Sequence, residues 1–243
     1  MDSDAFTTFE AAAWERQAAG YGRLISRITA RVPLPAEGRT LDVGCGDRPR
    51  GVGLDGSAAM LRRARTRDPD APLVAGHADR LPFRDGVFDT VVSGFLLPHL
   101  AEPGLAVAEF HRVLRPGGRL ALATWDTPDR ARLVGVLIDA VAAAQAPPAD
   151  LPPGPPFFRY ADPEALAGLL AGFHRVRVER VAFDHPVADT GEWWDGLRDG
   201  TVRSAALITD PVRIRVEFDR LAEPYRCRIP VSVVVATAQR FQN

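Results

Sequence analysis

The sequence predicts an α/β fold, a largely parallel sheet with helices on both faces, from three observations. Short β-branched apolar runs alternate with helical stretches through residues 39–125. Glycine and proline mark the junctions, notably at Gly44, Gly46 and Pro116-Gly117-Gly118. Hydrophobic residues make up 46% of the 243 positions, enough for one large core.

The elements follow in order. Residues 5–32 read as amphipathic helix, interrupted near Gly20 and Gly22 and stopped by Pro33 and Pro35. Strands are expected at 39–44, 51–55, 72–76, 87–93 and 119–125. Ser57 caps a helix to about Arg67, and a second helix runs from about Pro103 to Arg115, stopped by the Pro116-Gly117-Gly118 turn. The proline-rich stretch 146–156 reads as a loop or mobile lid. Asp162 caps a helix to about Ala171, residues 173–183 alternate as a sixth strand, helices are expected near 190–199 and 204–222, and 229–238 forms the last strand.

Composition narrows the function classes. The net charge is −1 and no basic block stands out, which argues against a nucleic-acid partner. None of the 30 basic residues is lysine, a pattern of GC-rich coding bias. Cys45 and Cys227, the two cysteines, make no disulfide scaffold, and no Cys/His spacing suggests a metal site. The acidic start Met1-Asp2-Ser3-Asp4 does not read as a signal peptide, and no apolar run reaches membrane-span length. The expectation is a cytoplasmic protein of bacterial type.

The chemistry concentrates on three strand ends. After the first, Asp42-Val43-Gly44-Cys45-Gly46 lets the backbone approach a ligand closely. After the second, Asp55 is placed to accept from both ribose hydroxyls of an adenosine. After the third, Asp79, between Ala78 and Arg80, is placed to accept from an adenine amino group. Together they lay one adenosine along the carboxyl edge of the sheet, where open α/β sheets bind ligands.

These pieces resemble the class I S-adenosylmethionine-dependent methyltransferases, especially the small-molecule group that includes quinone-biosynthesis and natural-product enzymes. The matching segments are Leu41–Gly46, Gly53–Ser57 with Met60-Leu61, Ala78–Phe83, Phe88–Ser93 and Glu109–Gly118. The resemblance implies a Rossmann-like seven-stranded mixed sheet with its last strand antiparallel, and S-adenosylmethionine as cofactor. Its candidate contacts are Asp42, Gly44, Cys45, Gly46, Leu54, Asp55, Gly56, Met60, Ala78, Asp79, Arg80 and Ser93. It implies a single domain over 1–243: a helical cap (1–35), a cofactor-binding core (36–126) and a variable acceptor side (127–243).

One departure stands out. Only Asp47, Arg48, Pro49 and Arg50 separate Gly46 from Gly51, where relatives place a helix, and Arg48 replaces the usual third glycine. The first crossover helix is therefore expected to be missing or reduced to a turn, since an extended link spans about 3.3–3.6 Å per residue. Without a helix N-terminus for the cofactor carboxylate, Arg48, Arg50 or Arg16 is expected to pair with it.

Methyl transfer needs a base only when the acceptor carries a removable proton. The candidate is His99, just past the fourth strand in a loop that faces the transferring methyl in the related proteins. His185, beside Asp184, is a weaker candidate. Trp14, Tyr21, Asp126, Tyr160, His185 and Trp194 are expected around the acceptor, with Phe157, Phe158 and Trp193 among the other aromatics. The reading is methyl transfer to a small-molecule acceptor at oxygen, nitrogen or carbon, by a monomer or homodimer with neither nucleic acid nor membrane as partner. The alternatives are a non-methylating S-adenosylmethionine-binding protein of this fold and a nicotinamide-dependent oxidoreductase.

Overall fold

The computed structural model describes residues 3–225 and 227–242, so the acidic start at Met1 and Asp2 lies outside the described residues. Two helices open the chain, α1 (Ser3–Tyr21) and α2 (Ile25–Thr29), separated at Gly22 as expected. Then come β1 (Thr40–Val43), β2 (Val52–Asp55), α3 (Ala58–Arg67), β3 (Leu73–Ala75), β4 (Phe88–Gly94), α4 (Pro103–Val113) and β5 (Leu114–Trp125). The remainder is α5 (Arg132–Ala143), α6 (Pro163–Leu169), β6 (His174–Pro186), α7 (Thr190–Gly200), α8 (Val202–Leu207), α9 (Pro211–Ala222) and β7 (Arg228–Gln239).

The seven strands form one sheet in the order β3-β2-β1-β4-β5-β7-β6. The first five pair in parallel, and β7 runs antiparallel between β5 and β6. Strand order reverses between β1 and β4, which opens a crevice at their carboxyl ends. Side-chain alternation sends Val91, Leu120, Leu122, Val234 and Ala236 into the core beneath α4 and α6. Val92, Ala121, Ala123, Val233 and Val235 enter the core beneath α2, α5, α7 and α9.

The first crossover helix is absent. Residues 44–51 form a turn that Gly44 and Cys45 close by donating backbone N–H to Leu54 O at 2.8 and 3.1 Å. Gly51 (φ +94°) brings the chain back so close that a Cβ would lie 2.6 Å from Thr40 O, so only glycine fits. Buried Asp47 anchors the turn: it accepts from Ser26 Oγ (2.5 Å) and Arg67 Nη2 (2.9 Å), with Arg63 Nη2 at 3.5 Å.

Three details correct the sequence reading. Pro116-Gly117-Gly118 does not stop α4; it is an excursion inside β5, where the pairing with β4 shifts register between Phe88 and Thr90. Gly117 (φ +74°) donates to Arg240 O there. The helix expected over 204–222 is two, because Asp210 caps a new start at Pro211. The inner face of α1 is not purely apolar, since it buries Glu10 beside Phe6 and Ala13.

Candidate active site

A cavity of about 370 Å³ opens at the crevice between β1 and β4. The strand ends supply its floor: Gly44 and Gly46 after β1, Asp55 and Gly56 after β2, and Gly94 and Phe95 after β4. Met60 from α3 and the His77-Ala78 turn close one side. The cap closes the other, because Thr7, Glu10, Ala11, Trp14 and Tyr21 recur at helical spacing along α1. A second chamber of about 230 Å³ shares Tyr21, Thr29, Gly44, Gly94 and Phe95 with the first.

Asp55 organises the floor. Its Oδ2 accepts from Gly46 N and its Oδ1 from Ser57 N, both at 2.9 Å. A carboxylate offers about four lone-pair sites, so each oxygen can still accept one ligand hydroxyl. Burial raises the Asp55 carboxyl above its usual range. Ser57 caps α3 by accepting from Met60 N (3.2 Å), and its own hydroxyl donates to Glu15 Oε1 at 2.8 Å. Glu15 thereby ties α1 to the start of α3, and the hydrogen bonds it accepts from Ala59 N (3.1 Å) and the Ser57 hydroxyl hold its carboxyl below the usual range.

The smaller chamber carries both signs of charge. Buried Asp42 accepts from Arg50 N (2.9 Å) and faces Arg50 Nη1 at 3.5 Å, yet burial prevails and pushes its carboxyl up to about 6. Arg48 spends its Nε on Ser26 Oγ at 3.0 Å. The chamber thus offers both an acidic and a basic side chain to a ligand. Cys45 lines the same chamber, but burial pushes its thiol up and keeps it protonated.

In the wall of the main cavity, His99 Nδ1 lies 2.8 Å from Glu10 Oε2. The carboxylate only accepts, so in the neutral imidazole Nδ1 carries the proton and Nε2 the lone pair. Trp14 and Phe157 meet the His99 ring edge-on at 5.0 and 5.6 Å and fix its plane. Arg203 of α8 donates Nε to the other oxygen, Glu10 Oε1, at 3.2 Å. Phe95 (φ +63°) leaves β4 in a left-handed turn, a conformation that costs a non-glycine residue energy. Its ring packs on Trp125 with centroids 4.3 Å apart and the planes tilted by 37°.

The structure brings Gly44, Gly46, Leu54, Asp55, Gly56, Met60, Ala78, His99, Trp14 and Tyr21 together around the main cavity, with Asp42 and Cys45 at the second chamber. The hydroxyl of Tyr21 lies 3.4 Å from Thr29 Oγ1, and burial pushes it up, so it stays neutral. Asp79 and Arg80 are exposed, on the turn beyond His77 and Ala78 rather than in the wall. Ser93 donates its hydroxyl to Val43 O at 2.8 Å and so ties β4 to β1. Arg16 is exposed and lines neither chamber.

Four acceptor-side expectations are corrected. Asp126 is fully buried and accepts from Ser232 Oγ (2.8 Å), with Arg180 Nε at 3.2 Å. Trp125, its neighbour, lines the cavity instead, as strand alternation requires. Tyr160 packs in the core on the far face of the sheet. Trp194 is buried against Phe218 at 5.3 Å. His185 is buried outside both chambers, with Arg31 Nη1 3.4 Å from its Nδ1, and burial lowers its basicity. Glu10, Glu15, Phe95, Trp125 and Arg203 escaped the sequence reading. The helical stripe on α1 was the available signal for Glu10; Arg203 had none.

Residues 41–122 match a family model described as "Methyltransferase domain". A demethylmenaquinone methyltransferase of Beutenbergia cavernae is 44% identical over 77 residues, covering 32% of this chain and 32% of that protein. The chain thus spans about a third of the length of the curated relatives it matches. A SAM-dependent methyltransferase of Thermotoga maritima superposes with a TM-score of 0.51 at 17% identity, covering 95% of this chain and 99% of that one. A structure named for conversion of a disulfide bond into a thioacetal group during echinomycin biosynthesis gives 0.54 at 16% identity, covering 91% and 82%. Among the described residues no helix is long and apolar enough to cross a membrane. Residues 41–122 of this chain thus match a methyltransferase domain model, and the chain shares the fold of the solved S-adenosylmethionine-dependent methyltransferase on which it superposes.

Proposed function

We propose that the chain transfers a methyl group from S-adenosylmethionine to a small, flat, largely apolar acceptor in the cytoplasm. The carrying observation is that one cavity holds both an adenosine-type site at Asp55 and a carboxylate-oriented imidazole at His99. The residues present fit the cofactor. Asp55 would take the ribose, Leu54, Met60 and Ala78 the nucleoside, Asp42 the methionine ammonium and Arg48 its carboxylate. When bound, the cofactor supplies an electrophilic methyl group on a sulfonium.

The protein supplies position, dryness and a proton acceptor. Trp14, Phe95, Trp125, Phe157 and Phe158 give the acceptor apolar walls and exclude water. His99 Nε2 takes the proton of an O–H, N–H or acidic C–H acceptor, and Glu10 holds the imidazole in the required tautomer. The likeness to demethylmenaquinone methyltransferases supports a quinone-like ring as acceptor. A nicotinamide cofactor fits less well, because residues 44–51 offer no helix N-terminus for a pyrophosphate. The three segments of the chain act as one domain on this reading, since cap and acceptor-side helices both wall the cavity. Calorimetric titration with S-adenosylhomocysteine, and with NADH as control, tests the reading. One-site binding of the first alone is expected; no binding of S-adenosylhomocysteine would overturn it.

A further inference from the structure

The cavity holds a polar group that methyl transfer as such does not need. Arg203 lines it, and its Nη2 is buried without a hydrogen-bond partner. The guanidinium is held firmly: its Nε donates to Glu10 Oε1, and it lies over the rings of Phe6 and Phe157 at 5.1 and 5.6 Å. A buried N–H left unpaired on a guanidinium so held is a donor waiting for an acceptor atom. Arg203 Nε and His99 Nδ1 bond the two oxygens of the same Glu10 carboxylate, so the guanidinium and the imidazole flank one side chain on the wall of this cavity.

Charge decides what the donor takes. Glu10 already neutralises Arg203, so with His99 unprotonated the trio carries no net charge. A ligand carboxylate would bring a second negative charge beside buried Glu10, whereas a carbonyl oxygen accepts from Nη2 without that cost.

Resting on the methyltransferase reading above, we infer that Arg203 is a specificity-determining residue that binds a carbonyl oxygen of the acceptor, whose nucleophilic hydroxyl lies next to that carbonyl on an aromatic ring and faces His99. The hydroxyl proton passes to His99 Nε2. The freed oxygen electron pair forms the O–CH3 bond as the methyl–sulfur bond breaks, its electron pair staying on sulfur to leave S-adenosylhomocysteine. Hydrogen bonding of Arg203 to the conjugated carbonyl stabilises the negative charge that develops on the ring oxygens.

Binding of three probes to the protein saturated with S-adenosylhomocysteine tests this. They are 1-hydroxy-2-acetonaphthone (neutral carbonyl), 1-hydroxy-2-naphthoate (carboxylate) and 1-naphthol (neither), followed by quenching of tryptophan fluorescence. The wild type should bind the ketone tightest, about tenfold or more above naphthol. Arg203→Gln should lose that preference while binding naphthol within about twofold of wild type, and Arg203→Lys, which lacks the planar fork, should recover it only in part. Equal weakening of ketone and naphthol in Arg203→Gln, or tightest binding of the naphthoate by the wild type, would overturn the inference. An unchanged melting temperature and S-adenosylhomocysteine affinity certify that a variant is folded. Failure of the wild type to bind S-adenosylhomocysteine would instead sink the underlying methyltransferase reading, and the same probes would then be read on the protein alone.

Discussion

Glu10 and His99 are separated by 89 positions in the sequence and by 2.8 Å in the structure. The pair joins the cap to the loop after β4. Replacing His99 by Asn should lower the single-turnover rate of methyl transfer by about 10²–10⁴-fold when the acceptor is a hydroxyl. Glu10→Gln should lower it by roughly 10–100-fold, since the imidazole keeps its place but loses the carboxylate that orients it. Rapid-quench kinetics at saturating cofactor measure both. Rates within twofold of wild type would remove the base from the mechanism.

Asp55 should govern cofactor affinity. Asp55→Ala removes both the ribose acceptor and the ligand of Gly46 N and Ser57 N. Loss of about 1–3 kcal/mol corresponds to roughly 5–150-fold weaker binding of S-adenosylhomocysteine. Isothermal titration reads this directly, and an unchanged dissociation constant would place the nucleoside elsewhere.

Asp42 gives the pH dependence. Its carboxyl is raised from 3.8 to about 6 in the folded protein, chiefly by burial. The native state therefore binds this proton more readily than the unfolded chain. Its ionisation costs stability above about pH 6, and that cost is relieved as pH falls from about 6 towards 4. Cofactor affinity should move the opposite way, because a protonated Asp42 no longer attracts the methionine ammonium. Titrations with S-adenosylhomocysteine should show up to about tenfold weaker binding at pH 5 than at pH 8. Asp42→Asn should bind weakly and without this pH step; a step of the same size in the variant would assign it to another group.

Asp47 holds the helix-free turn. Asp47→Ala leaves Ser26 without its buried acceptor and frees Arg63 and Arg67, whose side chains are 33% and 39% exposed and can turn to water. The expected loss is about 1–3 kcal/mol, or roughly 2–12 °C in melting temperature for a chain of this size. Thermal denaturation followed by circular dichroism checks it.

The parallel half of the sheet was legible because β1 to β4 are short apolar runs, each with a glycine at or beside an end. The helix-free link was legible because Asp47 to Arg50 are too few to build a turn of helix and return. Asp126 misled because its position at a strand end says nothing of its direction; alternation aims Trp125 into the cavity and Asp126 into the pocket formed by Ser232 and Arg180. Trp194 and Tyr160 misled because a buried aromatic serves a core as readily as a ligand site. Arg203 lay beyond reach, since its partner Glu10 is 193 positions away and only the docking of α8 against α1 joins them.

The missing helix also bears on how the chain folds. Parallel strands usually cannot pair until the segment between them has folded back over the sheet, which makes such pairing slow. Here Leu41 meets Val52 and Val43 meets Leu54 across residues 44–51. Closing a loop of about ten residues takes roughly 10–100 ns. Pairing of β1 with β2 therefore carries the closure entropy of a short loop only, and the glycine loop that closes it is held in shape by the pairing of its two neighbouring strands.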